Sequence, residues 1–65
     1  MIVKINGEAQ DVRAQTLAAL LDELDYGDAT VATALNQNFV RKKDRADTKL
    51  EDGDEVEILT PRQGG

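Results

Sequence analysis

The 65-residue chain has no cysteine, no histidine and no tryptophan, and its aromatic residues are one tyrosine and one phenylalanine. Without cysteine or histidine it can form no disulfide and no thiolate or imidazole zinc site, and it has neither a cysteine nucleophile nor a histidine base. These absences exclude a cysteine or histidine catalyst, and because the paired carboxylates are interpreted as turn and surface residues, we expect no catalytic residue and no metal site.

Positive charge and long apolar segments are also scarce. Eight basic residues face 13 acidic ones, and the net charge of −5 argues against binding to nucleic acid or to an anionic membrane. The longest apolar run, Leu17 to Leu21, is far too short to span a membrane. Because the N-terminus alternates like a strand and does not resemble a signal peptide, and because cysteine is absent, we expect a cytoplasmic protein. We also expect the protein to be a monomer when it is free.

The first half of the chain predicts a hairpin and a helix. Val3 and Ile5 alternate as in a strand, Asn6-Gly7 favours a tight hairpin turn, and residues 8–13 predict a weak edge strand in which Ala9 and Val12 are the apolar members. Thr16 is placed as a helix N-cap before a leucine stripe at helical spacing, and Gly27 as the residue that follows the helix C-cap.

The second half predicts three strands. The alternating segments are residues 31–35, 39–41 and 55–59, separated by a turn at 36–38, a polar irregular segment at 42–48 and an Asp-Gly-Asp turn at 52–54. Pro61 should stop the last strand because it has no N–H to donate.

This element order predicts an α+β, β-grasp fold with a mixed sheet of four to five strands packed on one helix. The first and last strands should be central and parallel. The domain should span residues 1–60, followed by a flexible tail at 61–65. The expected core is Val3, Ile5, Leu17, Leu20, Leu21, Leu24, Val31, Leu35, Val40, Leu50, Val56 and Ile58.

Three apolar residues are predicted on the sheet face opposite the helix. Strand alternation assigns Ile2, Phe39 and Leu59 to that face, where an exposed apolar group would form a partner-binding patch. The acidic residues around 52–57 are candidate contacts to a positively charged partner. Their paired carboxylates are otherwise interpreted as turn and surface residues.

A basic cluster interrupts the acidic background. Arg41, Lys42, Lys43 and Arg45 hold four of the eight positive charges. A phosphate or RNA contact is one interpretation, and a solvated loop is the one that we favour because few aromatic residues accompany the cluster.

The last five residues combine a strand stop with two glycines. From Pro61 to Gly65 the chain spans at most about 17 Å, enough to reach into a neighbour's active site. Gly64 and Gly65 lack Cβ, so the backbone could pass a narrow channel and present an unhindered carboxylate.

Taken together, these motifs resemble the ThiS-type sulfur carriers of the ubiquitin-like β-grasp superfamily. The resemblance covers nearly the whole chain and rests on Asn6-Gly7, Thr16 before the leucine-rich helix, residues 34–40, residues 50–58 and Gly64-Gly65. Two departures concern the middle of the chain: the family often has Pro-Arg after the valine and an aromatic residue a few positions later. Here Arg41-Lys42 follow Val40, and Arg45 stands near the aromatic position.

The resemblance implies a function for the tail. A ThiF-like, ATP-dependent adenylyltransferase using MgATP would adenylate the carboxylate of Gly65, and a sulfur donor protein would supply the sulfur for a thiocarboxylate. A ThiG-like thiazole synthase would then receive that sulfur for thiamin biosynthesis. Arg62, Gln63 and Gly64 would carry Gly65 into the partner. The resemblance implies that the chain itself is a protein cosubstrate and not an enzyme, and that it binds no cofactor of its own.

Three other interpretations stay open. A carrier for molybdopterin synthesis is the nearest, although such carriers are usually longer. A non-covalent ubiquitin-like interaction module with an inert tail is the second. An S4-like RNA-binding module is the third, favoured by the basic cluster but not by the hairpin, the single helix or the net charge.

Overall fold

The structure is a computed structural model that describes residues 1–27 and 29–61. Its strands form one five-stranded sheet in the order β2-β1-β5-β3-β4, so the predicted α+β, β-grasp fold with a mixed sheet is confirmed. None of the helices in these two ranges is long and apolar enough to cross a membrane. The elements are β1 (Ile2–Ile5), β2 (Glu8–Asp11), α1 (Leu17–Glu23), β3 (Ala32–Leu35), β4 (Asn38–Val40), a 3₁₀ helix (Lys42–Asp47) and β5 (Glu55–Leu59).

The first hairpin turns at the predicted Asn6-Gly7 pair. Both residues have positive φ, 52° and 89°, as a two-residue turn that matches the twist of the strands requires. The second strand, β2, ends at Asp11 and is exposed along its length, so Ala9 is a surface residue. Val12 lies beyond the strand and is buried, because its N–H bonds to the carbonyl of Met1 and its side chain turns under the sheet.

Helix α1 begins as predicted and ends earlier than predicted. The Thr16 hydroxyl accepts a hydrogen bond from the N–H of Ala19, the expected N-cap contact. At the other end Asp25, with φ of 65°, takes the left-handed position that we assigned to Gly27. The N–H of Tyr26 then bonds to the carbonyl of Leu21 at 2.8 Å and that of Asp25 to Asp22 at 3.1 Å, which satisfies two free carbonyls of the last turn.

The last strand, β5, occupies the centre of the sheet. It pairs in parallel with β1, where Lys4 and Ile5 face Glu55 and Val56, and antiparallel with β3. The prediction that the first and last strands are parallel and internal is confirmed.

Two asparagines extend the hydrogen bonding of β5 beyond its neighbours. On one side Asn6 binds Ile58 through both side-chain atoms: Oδ1 accepts from the N–H at 2.8 Å and Nδ2 donates to the carbonyl at 3.1 Å. On the other side Asn36, with φ of 49°, accepts from the N–H of Glu55 at 2.9 Å and donates to the Asp54 carboxylate at 3.1 Å. Each asparagine therefore turns a hairpin with its backbone and binds β5 or the turn before it with its side chain.

The core lies between the helix and one face of the sheet. Of the twelve predicted core residues, eight are buried, and Leu24, Val31, Leu35 and Val40 are partly buried against them. The prediction missed Val12, Ala14, Thr33 and Arg45, of which Thr33 is 2% and Arg45 7% exposed.

The segment predicted to be irregular is a 3₁₀ helix, and one member of the basic cluster is interior. The Arg45 guanidinium donates from Nε to the Thr33 hydroxyl at 3.0 Å and from Nη2 to the Val31 carbonyl at 2.7 Å. The expectation of a solvated basic loop is therefore wrong for Arg45. Its aliphatic stem fills interior space while its polar end binds strand β3.

We expect Leu20→Ala to destabilise the domain strongly. Leu20 is fully buried, and a Leu→Ala change at such a site costs about 2–5 kcal/mol, a large share of the stability of a small domain. The half-buried Leu24 provides the matched control, since Leu24→Ala should leave a smaller cavity. Chemical denaturation measures both, and equal losses would contradict the packing described above.

A second prediction concerns Asn6. Asn6→Ala removes both bonds to Ile58 and leaves a backbone N–H and carbonyl without these partners, so the free energy of unfolding should fall by about 1–3 kcal/mol. Asn38 is the control because it is exposed and its side chain makes one 3.3 Å bond. If Asn38→Ala cost as much as Asn6→Ala, the bonds to β5 would not explain the loss.

Candidate partner surface and tail exit

The sheet has one face that the helix does not cover, here called the outer face. Alternation along β5 points Val56 and Ile58 into the core and Glu57 and Leu59 to the outer face. Leu59 is 65% exposed and Phe39 69% exposed, which are large values for apolar side chains. The predicted exposure of both residues is confirmed.

Strand register brings Phe39 and Leu59 to the same corner. Leu59 lies opposite Ala32, and Phe39 lies opposite Ala34 on the other side of β3. The two large side chains and the small alanines between them line a shallow cavity of about 90 Å³, bordered by Glu57. We call Ala32, Ala34, Phe39 and Leu59 the apolar corner.

Ile2 does not belong to this corner. It is 46% exposed, but its carbonyl accepts a hydrogen bond from the N–H of Gly53, at the opposite end of β5 from Leu59. The five residues of β5 separate the two ends by roughly 15 Å. The prediction of one patch of three residues is therefore wrong for Ile2, because the parallel pairing of β1 with β5 places Ile2 beside the start of β5. Whether any of the three residues contacts a partner stays a prediction.

The chain leaves the sheet at the apolar corner. Strand β5 ends at Leu59, and the exposed residues Thr60 and Pro61 follow. Together with Thr30, Val31 and Ala32 they line a second shallow cavity of about 250 Å³. The predicted tail residues Arg62, Gln63, Gly64 and Gly65 lie outside the described residues.

The acidic turn before β5 is structural. Gly53 has a φ of 91°, and the flanking carboxylates bind backbone: Asp52 accepts from the N–H of Ile2 and Asp54 from that of Glu51, each at 2.7 Å. Glu55 and Glu57 remain as exposed acids on the outer face. Within residues 1–27 and 29–61, no group of three acidic side chains lies close enough to hold a metal ion.

Three members of the basic cluster are exposed. Arg41 lies 3.4 Å from the carboxylate of Asp44, and Lys42 and Lys43 begin the 3₁₀ helix with their side chains in solvent. Sequence reasoning treated the four basic residues alike. Arg45 differs from the other three in its position in the 3₁₀ helix, where it is the buried residue. The sequence did not predict this helix, so the difference could not be seen from the pattern alone.

The arrangement as a whole suits recognition. Among the described residues we find hydrogen-bonded carboxylates in turns, one buried guanidinium bound to strand β3 and a small apolar corner where the chain leaves the domain. These features provide a surface for another protein next to a terminal segment.

Comparison with known proteins identifies similar chains over the full length. The sequence model of the ThiS family matches residues 3–65. The sulfur carrier protein ThiS of Thermus thermophilus is 34% identical over 64 residues, which are 98% of this chain and 100% of that protein. The molybdopterin synthase sulfur carrier subunit of Chlamydomonas reinhardtii is 45% identical over 56 residues, which are 86% of this chain and 64% of that protein.

Solved structures agree with the fold. The crystal structure of the thiamine biosynthesis protein ThiS from Geobacter metallireducens superposes with a TM-score of 0.82 at 30% identity, covering both chains completely. A solution structure of a thiamine biosynthesis protein from the same organism gives 0.83 at 28% identity, covering this chain and 88% of the other.

Proposed function

The chain belongs to the ThiS family, and we propose that it is a sulfur carrier protein that supplies sulfur, as a thiocarboxylate on Gly65, for thiamin thiazole biosynthesis. The observation that carries the proposal is the family match over residues 3–65, which includes Gly64-Gly65, together with 34% identity to a ThiS sulfur carrier across that protein's whole length. The resemblance stated from sequence is thereby confirmed.

The chemistry requires activation of a poor acyl donor. One oxygen of the Gly65 carboxylate attacks the α-phosphorus of ATP, pyrophosphate leaves, and an acyl-adenylate forms. Sulfide then attacks the acyl carbon and AMP leaves, so that sulfur replaces one oxygen. If a persulfide is the donor, a thiol must also reduce the resulting acyl disulfide. In this proposal an adenylyltransferase of the ThiF type supplies the MgATP site and a donor protein supplies the sulfur.

The role left to this chain is that of a cosubstrate. It presents a carboxylate, and after sulfur transfer it presents a nucleophilic thiocarboxylate to a thiazole synthase of the ThiG type. We propose that it acts in the cytoplasm as a free monomer between these encounters.

The apolar corner is the surface that we assign to these partners. It lies where Thr60 and Pro61 leave the sheet, so an enzyme that takes up the tail would face Phe39 and Leu59 at the same time. Aromatic residues are enriched at protein interfaces, and the fully buried core of an interface is more apolar than its rim, so this group of side chains is suited to burial against a partner.

Molybdopterin synthesis is the second candidate, and one observation favours it. The match to a molybdopterin synthase sulfur carrier subunit reaches 45% identity, although over 56 residues and 64% of that protein. Transfer of sulfur from the thiocarboxylate to a thiazole synthase or to a molybdopterin synthase, each assayed separately, decides between the two pathways. Membership of the ThiS family replaces the S4-like RNA-binding interpretation, and the inert-tail module is tested below.

Truncating the apolar corner should weaken partner binding without unfolding the domain. Phe39→Ala and Leu59→Ala each remove an exposed side chain, and each should weaken the affinity for the adenylyltransferase by about tenfold, in the range typical of interface residues that matter. Ile2→Ala is the matched control, since Ile2 is exposed at the other end of the sheet. Calorimetric titration measures all three, and unchanged affinity in both corner variants would exclude this surface.

Changing the terminus should abolish thiocarboxylate formation and leave folding intact. Deleting Gly65 shortens the reach by about 3.5 Å, and a misplacement of about 1 Å can cost 100-fold in rate. Gly64→Val should obstruct passage through its branched Cβ. Mass spectrometry after incubation with adenylyltransferase, MgATP and a sulfur donor detects replacement of one oxygen by sulfur. Normal product from the Gly65 deletion would reject the sulfur-carrier proposal and support the inert-tail module.

A further inference from the structure

We propose that the exposed basic residues Arg41, Lys42 and Lys43 form a rim beside the apolar corner that docks against an acidic surface of the adenylyltransferase. The inference rests on the proposed function and specifies the chemistry of the partner at that site. It assigns a role to the basic residues, which the acyl-transfer chemistry does not require.

The charge of the chain is divided by region. Residues 41–47 contain four basic and two acidic residues, whereas the remaining chain contains four basic and eleven acidic residues. A protein of net charge −5 therefore has one segment of opposite sign. Such a segment orients an approaching partner, because charge complementarity acts on encounter before contact is made.

The basic rim adjoins the apolar corner through Arg41, and Lys42 and Lys43 follow in the 3₁₀ helix. Arg41 directly follows β4 with extended backbone, φ −71° and ψ 154°, so the alternation continues and Arg41 falls on the same face as Phe39. The register of β3 with β4 pairs Thr33 with Val40, which sets Arg41 beside Ala32, the neighbour of Leu59. The Arg41 side chain is 64% exposed and lies 3.4 Å from one exposed carboxylate, so it remains accessible to a partner.

Buried Arg45 fixes the rim in place. Its two hydrogen bonds join the 3₁₀ helix to Val31 and Thr33, and the Thr33 hydroxyl in turn donates to the Val40 carbonyl at 2.9 Å. The segment that carries the exposed cations is thereby tied to β3 and β4, two of the three strands that carry the apolar corner. A partner meets the two features in a constant relative position.

The charges of the same face favour a protein over a nucleic acid as the occupant. Glu57 borders the apolar corner, and Glu55 precedes it on the outer face of β5. These carboxylates would repel a phosphate backbone lying across the sheet. A protein surface can instead place acidic groups opposite the rim and uncharged or basic groups opposite Glu55 and Glu57.

The test compares two charge reversals of equal size. Arg41→Glu with Lys43→Glu reverses two charges of the rim. Lys4→Glu with Lys49→Glu reverses two exposed charges elsewhere: Lys4 on β1, and Lys49 beside Met1, Gln15 and Thr16. Stopped-flow association with the adenylyltransferase at low salt should be about tenfold slower for the rim variant and within about twofold of the unaltered protein for the control. At 1 M salt, where the Debye length is about 3 Å, the difference should vanish.

Other outcomes overturn the inference. Equal slowing in both variants would mean that net charge alone governs association, and unaltered or faster association of the rim variant would mean that the facing surface is not acidic. Binding of a single-stranded RNA oligomer by the unaltered protein, lost in the rim variant, would assign the rim to nucleic acid. If the unaltered protein forms thiocarboxylate while the rim variant associates normally, only this inference fails. If the unaltered protein forms no thiocarboxylate, the proposed function fails as well.

Discussion

The hydrogen bonding of β5 on both of its edges is the constraint on which the rest of the structure depends. The strand pairs in parallel with β1 and antiparallel with β3, and its ends are held by side chains from the two hairpin turns. Asn6 and Asn36 can do this because positive φ turns the backbone back while the amide remains directed at the central strand. A small domain that has no cysteine for a disulfide thereby gains a well-fixed centre. The chain then leaves this strand for its last residues, so the tail follows a strand that is paired on both edges.

The two faces of β5 have different roles, since one packs in the core and the other forms part of the outer face. Val56 and Ile58 are buried against the helix, while Glu57 and Leu59 of the same strand face outward. Packing on one face therefore sets the position of the apolar corner on the other. The same coupling holds at the edge of the sheet, where Arg45 anchors the basic rim through contacts inside the domain. In the proposed function several enzymes recognise the chain in turn, and a surface whose shape is set by the core suits that role.

Features that depend on neighbouring residues were predictable from the sequence, and features that depend on contacts between distant residues were not. The Asn6-Gly7 turn, the Thr16 cap and the alternation of β5 each depend on neighbouring residues, and all three were predicted correctly. The end of α1 was not, because both Asp25 and Gly27 can follow a C-cap and the choice depends on Tyr26 packing against the core.

The errors at Arg45 and Ile2 have a common origin. An arginine is buried only where distant strands offer acceptors, here the Val31 carbonyl and the Thr33 hydroxyl. Strand alternation likewise assigns Ile2 to a face but not to a position along it, since the position follows from the register between β1 and β5. Both depend on contacts between residues far apart in the chain, which a pattern in one segment cannot contain. The sheet face of the candidate site was therefore predicted correctly, the set of residues that share its corner was not, and the role of the tail stays a prediction.

The scarcity of reactive side chains bears on the proposed chemistry itself. An acyl-adenylate and a thiocarboxylate are both exposed to attack or exchange by thiols, and this chain has no cysteine that could react with its own activated terminus. The residues that lead to the exit, Thr60 and Pro61, add no strong nucleophile. Sulfur can thus be carried on a main-chain carboxylate, while selectivity comes from the surface that delivers it. In the proposed function, the terminal carboxylate therefore carries the chemistry, and the folded domain provides the surface that partners recognise.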